Sequence, residues 1–270
     1  IARDLFDGPK LIKIFGMITL AMGFIPGLSP ILGGVLQEAV GWQANMAVTA
    51  VAGFAILALT WAFMPETGKP SELAFTPATV IGGYMSIIRE RTFRRFAGTN
   101  AMTLGALYAF HAGGPALMID YLGLTPSTFG FVALAHSGCY ILGGITITRL
   151  SERVNDPGRV AAVGALVMSA AAAFMLALGL TGSAGVINIT VSMMVYGFSL
   201  GVVLSVGVAG ALGPFKERAG AATALLGALQ MTAGGIASAT IAAIDGHPAI
   251  VFSSVMLIMA VLGTINAARR

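Results

Sequence analysis

The chain has 270 residues, 57% of them hydrophobic and only 10% charged, and its mean hydropathy is +0.89. Soluble domains carry about 25% charged residues. The composition therefore excludes a soluble globular domain, a disordered tail and a collagen-like or disulfide-built scaffold. A single cysteine, Cys139, excludes an intramolecular disulfide. The 36 glycines fit membrane helices, where small side chains let backbones approach.

A hydrocarbon core about 30 Å thick needs ~20 apolar residues in a helix. In chain order, eight segments qualify: 12–35, 43–64, 95–118, 128–148, 159–180, 185–208, 219–243 and 248–267. Pro, Gly, charge or amide clusters separate them, among them Gln37-Glu38, Pro65-Glu66-Thr67-Gly68, Thr125-Pro126-Ser127, Asn155-Asp156-Pro157-Gly158 and Asp245-Gly246-His247-Pro248. Membrane strands would alternate polar and apolar residues over ~10 positions. These runs are apolar throughout, so the expected class is an all-α membrane protein.

The net charge of +4 raises the question of an acidic partner such as nucleic acid. The positions of the charges answer it. All 15 Lys and Arg fall at the two termini, in alternate connections or, for Lys13, Arg95 and Arg159, within the first two residues of the spans that follow them. The other connections (36–42, 119–127, 181–184 and 244–247) hold no Lys or Arg, and their acids are Glu38, Asp120 and Asp245. With eight spans, this bias predicts that both termini and the long connection 65–94 are cytoplasmic. Small basic groups without base-stacking aromatics do not make a nucleic-acid site. The expected surroundings are the lipid bilayer of the inner membrane.

The connection 65–94 divides the spans into two and six. Within it, 78–92 has an apolar face through Val80, Ile81, Tyr84, Ile87 and Ile88, which predicts a short amphipathic helix on the membrane surface. Six helices after a basic linker is the form of one half of a two-bundle transporter. Two helices before it cannot make the other half. The chain opens on Ile1 rather than Met, and Ile1 to Phe6 reads as the end of an interior loop. A fragment lacking amino-terminal helices is therefore expected.

The first span contains Gly23, Pro26, Gly27, Ser29, Pro30, Gly33 and Gly34, followed by Gly41-Trp42. Its prolines kink the helix and its glycines permit close contact. Pro-x-x-Gly-Gly at the end of such a span resembles the antiporter motif in the fifth helix of the major facilitator superfamily, with Ser29 where the family has Gly. Arg3-Asp4-Leu5-Phe6, Pro65-Glu66-Thr67, Gly113-Gly114-Pro115, Asp120-Tyr121-Leu122-Gly123-Leu124-Thr125-Pro126, Phe129-Gly130, Pro214-Phe215, Ala219-Gly220 and Leu229-Gln230 extend the likeness. Together they resemble the Bcr/CflA drug-resistance subfamily of 12-helix, proton-coupled efflux transporters, over helices five to twelve. That resemblance implies a major-facilitator-like bundle with eight of twelve helices present. It places the last two helices of the amino-terminal bundle at 1–66, a cytoplasmic linker at 67–94 and the carboxy-terminal six-helix bundle at 95–270. It also makes Arg149, Glu152 and Arg153, with Asp156 and Arg159, a degenerate copy of the cytoplasmic gating motif, in which charge pairs and helix-end contacts lock one state. Ordinary positive-inside charge accounts for the same residues.

Three spans carry polar residues on one helical face. These are Asn100, Leu104, Tyr108 and His111 in the third, and Asn188, Ser192, Tyr196 and Ser199 in the sixth. The seventh has Thr223, Gly227, Gln230, Gly234 and Ser238. By the resemblance, the third and sixth spans line a central cavity, so Asn100, Leu104, Tyr108, His111, Asn188, Ser192, Tyr196 and Gln230 are the expected substrate-binding residues. Interhelical hydrogen bonding is the competing role for each of them. His111 and His136 lie in the outer halves of their spans, where each either carries protons or bonds between helices as a neutral imidazole. In the family, proton-coupling carboxylates are expected mostly on helices before Ile1.

Gly197-Phe198-Ser199-Leu200-Gly201 matches the serine-hydrolase pattern but lies inside an apolar helix rather than on a strand–turn–helix elbow. No phosphate loop, zinc signature or selectivity filter is present in the sequence. The chain is thus expected to be no enzyme and to need no cofactor or metal. It reads as a monomeric secondary transporter that exchanges protons for small amphipathic drug-like molecules. Transport of a specific polar metabolite, or a truncated non-transporting protein, are the alternatives.

Overall fold

The computed structural model describes residues 28–64, 77–150 and 156–269, without the side chains of 77–80, 216 and 217. All of the regular structure in the described residues is helical. In chain order the helices are α1 (Leu28–Val40), α2 (Trp42–Phe63), α3 (Pro77–Arg89), α4 (Arg91–Pro115, continuing through Ala116–Tyr121), α5 (Pro126–Leu150), α6 (Pro157–Leu180), α7 (Val186–Leu212), α8 (Ala219–Ala243) and α9 (Pro248–Ala268). Seven of them, α2 and α4 to α9, are long and apolar enough to cross a membrane.

Local chemistry explains most of the boundaries. Pro157 follows Asp156, whose carboxylate accepts the Arg159 amide at 3.1 Å and caps α6. Asn188 reaches back to cap α7, accepting the Gly185 amide at 2.8 Å. Pro115 lies inside α4, where a proline removes a donor and crowds the preceding turn. The helix then widens, and the Leu122 amide reaches back five residues to the Leu117 carbonyl at 3.0 Å.

Three boundaries differ from the sequence expectation. Gln37-Glu38 does not end α1, which runs to Val40 and stops at Gly41, where φ is +101° and a side chain would be strained. The amphipathic segment predicted at 78–92 forms α3 but breaks at Glu90. The third span runs from Arg91 to Tyr121, longer than 95–118. The first predicted span before residue 28 lies outside the described residues.

The packing divides the chain into two compact units, one of residues 1–75 and 125–134, the other of 76–124 and 135–270. In the first, α1 lies against the first turns of α5. A Cβ on Gly34 would collide with the Pro126 carbonyl, so the backbones meet there directly. The Asn45 amide of α2 donates to the Gly33 carbonyl at 3.1 Å. Glu38 closes this contact, accepting the Ser127 amide at 2.8 Å. No residue of α2 is buried, which suits a helix with hydrocarbon around it.

In the second unit α4 is the hub, packing on α7, α8 and α9, while α6 packs on α7 and α9. The buried side of α4 is largely small: Ala97, Ala101, Ala106 and Ala109, with Phe93 and Phe110 at its ends. The later turns of α5 meet α7 through glycine, since a Cβ on Gly201 would fall on the Tyr140 carbonyl. At the arginine-bearing end, Ile87 of α3 is buried with Phe93, Phe215 and Leu226. Beside them the Arg218 guanidinium donates to the Ser86 hydroxyl at 2.8 Å. Arg95 donates through Nε (2.9 Å) and Nη2 (2.6 Å) to the carbonyl of Ala267, capping the end of α9.

The Glu38 contact has a pH signature. The Ser127 amide and hydroxyl and the Thr125 hydroxyl favour its ionised form and hold its carboxyl below the usual range. The stabilisation is therefore present above the ordinary carboxylate pKa and is lost as pH falls through the lowered value. Hydrogen exchange at the Ser127 amide, corrected for its intrinsic rate, should show protection at neutral pH that fades in that acidic window. Glu38→Gln should show no such step.

Candidate functional site

The polar faces of α4 and α8 come together inside the second unit. Asn100, on α4, is 0% exposed. Its Nδ2 donates to the Leu204 carbonyl of α7 at 3.0 Å, and its Oδ1 accepts from Nε2 of Gln230 on α8. The two bonds satisfy a buried amide that would otherwise cost ~1–3 kcal/mol. Gly207 leaves the space this needs, since a Cβ there would strike the Asn100 side chain.

Two turns further along α4, the Tyr108 ring lies over Gly234 of α8. Its hydroxyl lies 3.5 Å from the Met231 sulfur, and Ser238 donates to the Tyr108 carbonyl at 3.5 Å. A cleft of about 200 Å³ opens here, lined by Tyr108, Met231, Gly234, Gly235 and Ser238, none of them charged. An aromatic face and a thioether make a surface that grips apolar bodies without demanding one shape.

The other expected site residues lie elsewhere. Leu104 is half-buried on α4 and His111 is exposed, its ring 5.3 Å from that of Phe110. Asn188 is spent on the α7 cap, donating to the Ser183 carbonyl at 2.8 Å as well as accepting from Gly185. Ser192 bonds back to the Asn188 carbonyl at 2.7 Å. Tyr196 is fully buried and its hydroxyl has no partner among the described residues. The α7 face thus points into the packing and not into the cleft. His136 is 2% exposed, with Nδ1 2.8 Å from the Met193 carbonyl and its ring 4.8 Å from that of Phe110.

Of the motif residues, Gly34 is buried, Pro30 and Gly33 are half-buried and Arg149 is exposed. Gly23, Pro26, Gly27, Glu152 and Arg153 lie outside the described residues. A larger cavity, about 740 Å³, opens at the arginine-bearing end among α4 to α7, with Arg95, Phe96, Asp156, Ser205 and Pro214 on its walls. None of the expected substrate-binding residues lines it. Sequence reasoning missed Met231, which reads as ordinary core; its place next to Gln230, one turn before Gly235, was the available signal.

Two α8 glycines should respond oppositely to a methyl group. Gly→Ala in an open helix position gains roughly 0.5–1 kcal/mol. Nothing lies near a Cβ on Gly227, but one on Gly234 would collide with the Tyr108 ring. Gly227→Ala should raise the melting temperature of the purified protein slightly. Gly234→Ala should lower it, by the equivalent of ~1–3 kcal/mol of overpacking.

No family model matches the chain. Single relatives do. The uncharacterized MFS-type transporter YdgK of Bacillus subtilis is 26% identical over 271 aligned residues, covering 98% of this chain and 66% of that protein. The bicyclomycin resistance protein homolog of Haemophilus influenzae is 24% identical over 89% of this chain and 60% of its own length. The multidrug resistance protein MdtM of Escherichia coli O157:H7 is 26% identical over 57% of this chain and 38% of its own length. The chain thus spans between about two fifths and two thirds of the length of the relatives it matches. The first is named as a transporter and the other two as resistance proteins. With its lipid-length helices, the chain is an all-α, multi-pass membrane protein homologous to MFS-type transporters.

Proposed function

We propose that the full-length protein is a secondary active transporter of the inner membrane, exporting small amphipathic drug-like molecules in exchange for protons. The observation that carries this is the uncharged cleft of Tyr108, Met231, Gly234 and Ser238 between two lipid-length helices. A specific polar solute would demand buried charge partners, and the cleft offers a phenol, a thioether and a hydroxyl. The names of two of the relatives, a bicyclomycin resistance homolog and a multidrug resistance protein, support the same substrate class.

In this reading residues 1–66 are the end of an amino-terminal bundle, 67–94 a cytoplasmic linker and 95–270 a carboxy-terminal six-helix bundle. Both termini of the chain face the cytoplasm, following the positive-inside bias. The two bundles rock about a central site near the midplane. Tyr108 and Gln230 form the polar wall of that site, braced from behind by the buried Asn100, with Leu104 and His111 on the same face of α4 as Tyr108. Pro30, Gly33 and Gly34 seal the outer side, and Arg149 with its neighbours serves the cytoplasmic gate.

Inverted vesicles carrying the full-length protein should accumulate a fluorescent lipophilic drug when a proton gradient is imposed, and an uncoupler should abolish that uptake. Uptake that survives the uncoupler would rule out antiport. Tyr108→Ala should raise the half-saturating drug concentration about tenfold, equivalent to ~1.4 kcal/mol.

A further inference from the structure

The cavity of about 740 Å³ at the arginine-bearing end shares no lining residue with the cleft beside Tyr108 and lies wholly within the second unit. Its volume falls in the range of small-molecule sites, about 300–1,000 Å³. Most of its wall is apolar, with Phe96 on α4, Ile147 on α5, and Val206 and Ala209 on α7. Two glycines seat its largest side chains. A Cβ on Gly210 would strike the Phe96 ring, and one on Gly158 would strike the Arg95 guanidinium. Two side chains of opposite charge share this wall: Arg95, half-buried, and Asp156, exposed at the start of α6. Arg95 donates through Nε and Nη2 to the Ala267 carbonyl, and its Nη1 has no hydrogen-bond partner among the described residues. Asp156 accepts the Arg159 amide through Oδ1 at 3.1 Å, and its Oδ2 has none. Among the described residues no ion pair joins the two.

We propose that this cavity is a second ligand site, which takes an amphipathic zwitterion: an aromatic body that carries both an amine and a carboxylate. The ligand carboxylate accepts from Arg95 Nη1, its ammonium donates to Asp156 Oδ2, and its apolar body lies against Phe96 and Val206. A ligand with a single charge finds one partner and is set beside a like charge, an anion near Asp156 and a cation near Arg95. A charge brought against an apolar wall is costly unless it is paired, so the zwitterion is the form the cavity accepts best. The bonds to Ala267 and to the Arg159 amide hold the two charged groups in place before any ligand arrives, which lowers the entropy cost of binding. The site stands on this cavity alone and does not depend on the transport reading above.

Equilibrium binding to the purified full-length protein tests this with one fluorescent skeleton in four charge states. Nε-dansyl-lysine is the zwitterion, its methyl ester a cation, its Nα-acetyl derivative an anion, and the doubly masked compound is neutral. The zwitterion should bind about tenfold more tightly than either singly charged form. Asp156→Asn keeps a side chain able to cap α6 and removes the charge. The advantage of the zwitterion over the Nα-acetyl anion should then fall to about twofold or less. Ala209→Phe fills the cavity from an exposed position of α7 and should weaken zwitterion binding about tenfold or more. Tyr108→Ala, at the cleft, should leave it unchanged. The wild-type ligand series and Ala209→Phe carry the test if the asparagine variant does not fold. Four similar affinities would show an apolar pocket open to any tail, lipid or detergent included, and overturn the proposal. So would no zwitterion binding at all, an advantage that survives Asp156→Asn, or a loss caused by Tyr108→Ala and not by Ala209→Phe. Binding is read without a proton gradient, so a protein that binds as expected and does not transport would sink the transport reading alone.

Discussion

Hydrocarbon offers no hydrogen-bond partner, so a polar group carried into it costs free energy unless another part of the protein meets it. That constraint accounts for most of the specific contacts seen here. Asn100 is met by a backbone carbonyl on one helix and an amide side chain on another. Ser169 bonds back to the Ala165 carbonyl and across to Thr264 of α9 at 3.1 Å. His136 turns Nδ1 to the Met193 carbonyl. These contacts select which faces of the helices meet, a choice that uniformly apolar surfaces leave open because lipid tails are as apolar as leucine.

Small residues make such contacts geometrically available. The alanines along α4 let three helices approach it at once, and Gly207 lets α7 come close enough for Leu204 to reach Asn100. At the arginine-bearing end Phe93 meets Phe215 edge to face at 5.8 Å, and Ile87 fills in beside them.

The spans were legible because a 20-residue apolar run is a strong signal and prolines and glycines mark its limits. What stayed hidden depends on distant partners. Gln37-Glu38 reads as a helix break, yet Glu38 finds its donor 89 residues away at Ser127. Asn188 sits at the spacing of a polar face, and that same spacing puts it three residues after Gly185, where it caps. The pairing of Asn100 with Gln230 spans 130 residues, and periodicity within either helix shows only that each has a polar side. Met231 carried no polar mark at all.

The bond from Arg95 to the Ala267 carbonyl joins residues 172 positions apart. It links the start of α4 to the last turn of α9 within the second unit. During synthesis, α4 enters the membrane long before α9 has been made. Until then its guanidinium has only water and lipid headgroups to bond, and the seat for α9 stands empty. This part of the packing is therefore completed only after α9 has been made, and the cap on the end of α9 waits on an arginine inserted far earlier in synthesis.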